Sequence, residues 1–184
     1  MRSVVEFFKV VLISLLIILP IRYFIIQPFY VKGASMEPNF HDHEYLIIDE
    51  ISYRFNGPER GDIVVFRYPL NPKEYFIKRI IALPGESVAI IDGDIIIYNN
   101  ENQNGFVLDE SNYLSDNIQT YSSDEEIRVL KSNEYFVMGD NRHASKDSRT
   151  FGPVNESFII GKVLLRAWPF NNFTAFNKME HYSN

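Results

Sequence analysis

Three stretches of this sequence carry residue types that can do chemistry. The first is "YVKGASMEPNF", residues 30–40, where Ser35 follows the small pair Gly33-Ala34 and precedes the turn-favouring Met36-Glu37-Pro38. A serine on such a loop serves as a turn residue, a helix cap or an exposed nucleophile. The second is "EYFIKRIIALPG", residues 74–85. On a strand, alternation puts Phe76, Lys78 and Ile80 on one face and Ile77, Arg79 and Ile81 on the other. Lys78 then shares its face with two large apolar neighbours, and desolvation of its ammonium would yield a neutral amine able to act as a base. The bland alternative is an edge-strand lysine in solvent. The third is "MGDNRHASKDSRTFG", residues 138–152, which packs Asp140, Arg142, Asp147 and Arg149 around Ser145 and Ser148. Opposite charges this dense, directly after the apolar strand "EYFV", read either as a fixed ion-pair network or as a solvated turn.

Taken together, the three stretches suggest a serine/lysine hydrolase. Serine needs a base to become a nucleophile, and a desolvated lysine supplies one without histidine. The four histidines offer no competing arrangement. His41 and His43 flank Asp42 in a turn, His143 lies within the charged loop and His181 near the carboxyl terminus. A His-X-His pair without further ligands is weak evidence for a metal site. The chain has no cysteine, which excludes thiol catalysis, disulfide staples and Cys-ligated zinc. No cofactor and no metal are expected.

These residues need elements to hold them. "VVLISLLIILPI", residues 10–21, is apolar apart from Ser14, and its flanks extend it to an expected transmembrane helix over 4–26. Such a helix rises roughly 33 Å, close to a bilayer core. Lys9 and Arg22 lie towards its ends, where long side chains snorkel, and Pro20 is positioned to kink or end it. A cleaved signal peptide would need small residues shortly after the apolar core, and "RYFIIQPFY" is bulky instead. The positive-inside rule gives only a mild vote for an inside amino terminus.

Beyond residue 30 the pattern is one of short β runs punctuated by Gly, Pro, Asn and Asp. Strands are expected at 45–53, 62–68, 74–83, 87–92, 94–99, 127–130, 134–139 and 161–168, with a tight hairpin at Asp92-Gly93. A mainly β barrel or sandwich follows, as a catalytic domain over 27–170. Residues 99–126 form a polar excursion with seven acids and no Lys or Arg, which accounts for the net charge of −6. No basic face remains for nucleic acid. Residues 171–184 read as a polar tail.

In order along the chain, "IRYFIIQPFYVKGASMEP", "RGDIVVFRYP", "YFIKRIIALPGESV" and "MGDNRHASKDSRTFGPV" resemble the successive signature boxes of bacterial type I signal peptidases. The resemblance runs from about residue 20 to "GKVLLRAWPF". It implies a membrane-anchored Ser/Lys endopeptidase whose all-β domain, akin to that of the self-cleaving repressor peptidases, faces the extracytoplasmic side of the cell membrane. Matching positions imply Ser35 as nucleophile and Lys78 as general base, with Ser145 orienting the lysine. Asp147 and Arg149 would brace that loop, and Asp140, Asn141 and Arg142 would frame it. Val31, Gly33, Met36, Phe76 and Ile77 match residues of the substrate pockets. The implied substrates are exported preproteins, cut after small residues at −1 and −3. The implied oxyanion donor is the Ser35 N–H, and Gly33 stands where some members carry a second, hydroxyl donor. Asn39 replaces a usual threonine, Ala82 a common glycine, and the short excursion leaves little of the second subdomain that some members have. A soluble self-cleaving repressor would carry a DNA-binding domain upstream instead of an anchor, and a non-catalytic tethered β-domain would not need Ser35, Lys78 and Ser145 together.

Overall fold

A computed structural model of the chain describes residues 2–24, 26–115, 118–122 and 126–176, with side chains described at 4–18 and from residue 28 onward. Helix α1 spans Arg2–Phe24 and runs through Pro20 without a break. Its described side chains, 4–18, are all exposed, and Phe7, Phe8, Leu12 and Leu16 are among them. Among the described residues, no helix is long and apolar enough to cross a membrane. The sequence reading carried the helix to residue 26, but a strand, β1 (Ile26–Tyr30), takes over two residues after Phe24.

The rest is mainly β. Strands β2 (Tyr45–Asp49), β3 (Ile63–Tyr68), β4 (Asn71–Ala82), β5 (Ser87–Ile91) and β6 (Asp94–Tyr98) come first. They are followed by β7 (Phe106–Val107), β8 (Arg128–Val129) and β9 (Glu134–Met138). A single-turn helix α2 (Ser148–Phe151), β10 (Val154–Asn155), the long β11 (Ile159–Trp168) and β12 (Thr174–Ala175) complete the order. They build two antiparallel sheets. The large one runs β1-β2-β11-β3-β4-β9-β10, with β12 on β11, and the small one runs β7-β6-β5-β8. Every pairing is antiparallel, as expected for short strands joined by tight turns. The β5–β6 hairpin closes on Asp92 and Gly93, both at positive φ, the conformation that a two-residue loop between twisted strands demands.

Period-two patterning sorts the apolar side chains into three cores. Ile63 and Val65 of β3 face one side, with Val31, Met36, Phe40, Leu46 and Ile48. Val64 and Phe66 face the other, with Ile80, Val137 and Val154. The small sheet then covers the end of β4, packing Val88, Ile90, Ile95 and Ile97 on Ile81 and Met138. Strand β4 is therefore exposed at its start and buried on both faces at its end. That change in burial falls at Lys78.

Two expected polar segments are more structured than their composition suggests. Within 99–126, Leu108, Tyr113, Leu114 and Thr120 are buried; residues 116–117 and 123–125 of the excursion lie outside the described residues. The tail expected from residue 171 first returns along β11 as β12, where the Phe176 ring meets Phe40 at 4.9 Å. Residues 177–184 lie outside the described residues. In each case a few apolar residues in a polar context find a core that composition alone does not reveal.

Candidate active site

The Ser35 loop is a compact turn pinned from below. Glu37 N–H bonds Ala34 O and Phe40 N–H bonds Met36 O, while Met36 and Phe40 are fully buried. Gly33, at φ +92°, turns the chain out of β1, and its N–H donates to Asp42 Oδ1 at 2.8 Å. Ser35 is left half-buried at the surface of this plug.

Lys78 meets it from β4. Its Nζ lies 2.7 Å from Ser35 Oγ and donates to Ile77 O at 2.7 Å, with the Phe76 ring 5.4 Å away. The side chain is 3% exposed. Burial pushes the amine down to about 8, against the opposing pull of the Asp147 and Asp140 carboxylates. An amine so placed is substantially neutral at mildly alkaline pH and has a hydroxyl in hydrogen-bond reach. That is the geometry a general base and its nucleophile require.

The charged loop after β9 closes over this pair. Asn141 donates its N–H to Ser35 O at 3.1 Å and its side-chain amide to Ala34 O at 3.0 Å, so one residue holds two consecutive carbonyls of the serine loop. Gly139 lies so near that a Cβ there would sit inside van der Waals distance of both Ser35 O and Ser145 Oγ. Asp147, with no exposed surface, receives Gly139 N–H and a two-pronged grip from Arg149 at 2.8 Å on each oxygen. Burial would raise its carboxyl, but Arg149 and the Gly139 amide hold it below the usual range. The nearby Ser145 hydroxyl contributes to that lowering, although its buried Oγ makes no hydrogen bond of good geometry. The acceptors of Lys78 Nζ are Ser35 Oγ and Ile77 O, and Ser145 is not among them.

Behind the dyad lies a second network that strand alternation did not foresee. Arg79 points away from Lys78 as expected, yet it ends in the interior and not in solvent, 1% exposed. It holds Asp140 by two bonds of 2.8 and 2.7 Å and stacks over the Tyr113 ring at 3.8 Å. Asn39 bridges Asp140 and the Tyr113 carbonyl at 2.9 and 2.8 Å. Arg142 donates to Gly139 O at 3.1 Å and pairs with Glu110 and the Thr120 hydroxyl. Burial alone would lower the Arg142 guanidinium, but the bonds and charge of Glu110 outweigh it. Glu110, Tyr113 and Thr120 were hidden in the polar excursion. The one sequence signal pointing to them is that the loop 138–152 carries three Lys or Arg against two Asp, leaving a cation to be met from elsewhere.

A cleft of about 690 Å³ opens beside Ser35 and Lys78. Residues 29–35 form one wall, residues 74–78 the other, and Ala144 with Lys146 the end nearest the dyad. Val31, Gly33, Phe76 and Ile77 line it. Met36 lies beneath, 1% exposed in the core with Phe40 and Leu46. Both walls carry strand edges. β1 pairs only with β2, and β4 pairs with β9 only from Arg79 onward. The described histidines sit elsewhere: His41 and His43 lie 3.6 and 3.0 Å from the Glu37 and Asp42 carboxylates, and the exposed His143 ring is tilted 6.2 Å from that of Tyr121, while His181 lies outside the described residues. No cluster of three or more metal-ligating side chains occurs among the described residues.

Comparison with known proteins identifies the family. Residues 4–168 match the family described as signal peptidase, peptidase S26. A signal peptidase IB of Staphylococcus aureus is 31% identical over 181 residues, covering 94% of this chain and 93% of that protein. A signal peptidase I of Leptolyngbya laminosa is 37% identical over 174 residues, covering 90% and 80%. The crystal structure of a signal peptidase I from Enterococcus faecalis is 32% identical and covers 58% of this chain and 97% of its own, with a TM-score of 0.46. The chain therefore belongs to the signal peptidase family, peptidase S26, as a serine peptidase of the bacterial type I class.

Proposed function

We propose that this protein is a membrane-anchored endopeptidase that removes signal peptides with a Ser35/Lys78 dyad, cutting exported preproteins after small residues at −1 and −3. The observation that carries the proposal is the 2.7 Å contact between Ser35 Oγ and a buried Lys78 Nζ. Neutral Lys78 takes the Ser35 proton as Oγ attacks the scissile carbonyl. The resulting ammonium returns that proton to the departing amine, leaving an acyl-enzyme. Lys78 then deprotonates the water that releases the acyl group. The Ser35 N–H donates to no acceptor among the described residues and is free to receive the oxyanion. Ile77 O takes one N–H of the amine, and the unpartnered Ser145 hydroxyl is the group available to the other.

Specificity follows from strand geometry. A peptide extended between the two edges presents alternate side chains to the same wall, so −1 and −3 face Val31, Phe76 and Ile77 together. Where Phe29 and Tyr75 meet across the cleft at 5.7 Å, little depth remains for large side chains. Anchoring is supported by the exposed apolar side chains over 4–18 of α1, which water does not tolerate as a continuous face. Such an anchor would hold the catalytic domain on the extracytoplasmic side, where processed ends emerge. The test is cleavage of a preprotein bearing Ala-X-Ala by the purified enzyme. Ser35→Ala and Lys78→Ala are each expected to abolish it, and full cleavage by the lysine variant would remove the dyad.

A further inference from the structure

We propose that Glu110, in the polar excursion outside all the signature stretches, is a positioning residue of the catalytic centre that acts through Arg142. The inference rests on the Ser35/Lys78 reading. Arg142 is almost wholly buried, and the Glu110 carboxylate binds both ends of its guanidinium. Thr120 accepts a further bond from the same group, and the Tyr113 hydroxyl donates to Glu110 in turn. The opposite side of the guanidinium holds Gly139 O at 3.1 Å. Gly139 is packed against Ser35 O without room for a methyl group, and its near neighbour Asn141 bonds Ser35 O and Ala34 O.

The chain of contacts is thus continuous from Glu110 to the backbone that aims the Ser35 hydroxyl and N–H. Removing the carboxylate leaves a buried guanidinium without its counter-charge, which must turn towards solvent and release Gly139 O. Glu110, Tyr113, Thr120, Gly139, Asn141 and Arg142 do not line the cleft. Loss of Glu110 should therefore disturb the alignment of the nucleophile and leave substrate binding alone. Misalignment of reacting groups is costly to the chemical step, because catalysis depends on near-attack geometry.

The test uses the full-length enzyme in detergent with a preprotein substrate, measuring kcat and KM well below the unfolding temperature. Glu110→Ala is expected to lower kcat about 10- to 100-fold and to leave KM within about threefold. Glu110→Asp, which keeps the charge, should recover most of the loss. A kcat within about twofold of the parent, or a change confined to KM, would overturn the inference. Where Glu110→Ala fails to fold, Thr120→Val decides: it removes a single acceptor of Arg142 at constant shape, and an undiminished kcat overturns the proposal. Ser35→Ala in the same assay separates the two readings. Cleavage by that variant removes the dyad and this inference with it, whereas an inactive Ser35→Ala beside parent-like Glu110 variants removes only the role of Glu110.

Discussion

Lys78 is where the fold's chemistry and its stability meet. Its amine sits at about 8 in the folded protein against 10.5 in the unfolded chain. Between those values the unfolded chain binds more protons, so stability rises with pH across that window, and below it the full cost of the buried ammonium remains. A shift of that size corresponds to about 3 kcal/mol. Lys78→Met is therefore expected to be inactive yet more stable at pH 7 by about 2–3 kcal/mol, a gain that fades as pH rises towards 10. Denaturant unfolding at the two pH values checks it, and a less stable variant at pH 7 would show that the ammonium is better compensated than its surroundings indicate. On the proposed dyad, the same neutral amine would set the rate profile. In the parent enzyme kcat/KM should climb with pH and level off above an apparent value near 8, measured by initial rates from pH 6 to 10.

Elements decide whether those residues meet. The loop between β9 and α2 carries Gly139, which lies against the Ser35 carbonyl, and Asp147, which receives the Gly139 amide. Gly139→Ala forces a backbone displacement, because the obstructing Ser35 oxygen belongs to the main chain and cannot rotate away. A loss of kcat of about 100-fold, with about 1–3 kcal/mol of destabilisation, is expected from steady-state kinetics and unfolding; undiminished turnover would mean that the loop can retreat without consequence. Such close approaches were not legible in the sequence. Period two correctly separated Lys78 from Arg79, but it could not say that β4 would be buried on both faces beyond that point, with Ile81 under the small sheet and Ile80 in the core of the large one. Arg79, expected on the face opposite Lys78, is enclosed there with Asp140, a partner 61 residues away that local spacing cannot name. The alternating strands, the Asp92-Gly93 hairpin and the three chemistry-bearing stretches were legible because each depends on local spacing. Strands of two residues such as β7, β10 and β12 were not, because only tertiary pairing makes them.

At the scale of the whole molecule, mainly β architecture followed from turn punctuation, while the way the small sheet packs on the end of β4 did not. The excursion shows the limit best. Its acids gave the chain its net charge and suggested a solvated loop, yet Glu110 pairs inward with Arg142 and Tyr113 lies under Arg79. A charge count cannot distinguish an acid facing water from one facing a buried cation. The junction between α1 and β1 has a further bearing on the enzyme's reach. Phe24 ends the helix, Ile26 begins the strand and Ser35 follows nine residues later. Were α1 to lie in the bilayer as proposed, the eleven residues from Phe24 to Ser35 would set a working height for the nucleophile of no more than about 40 Å above the lipid, even for a fully extended chain. The enzyme then acts as a ruler. A substrate series with Gly-Ser inserts between the apolar core and the Ala-X-Ala site should be cut in membranes up to that height and fall away beyond it, while the same series in detergent is cut throughout. Equal cleavage of long and short spacers in membranes would show that the domain swings free of its tether.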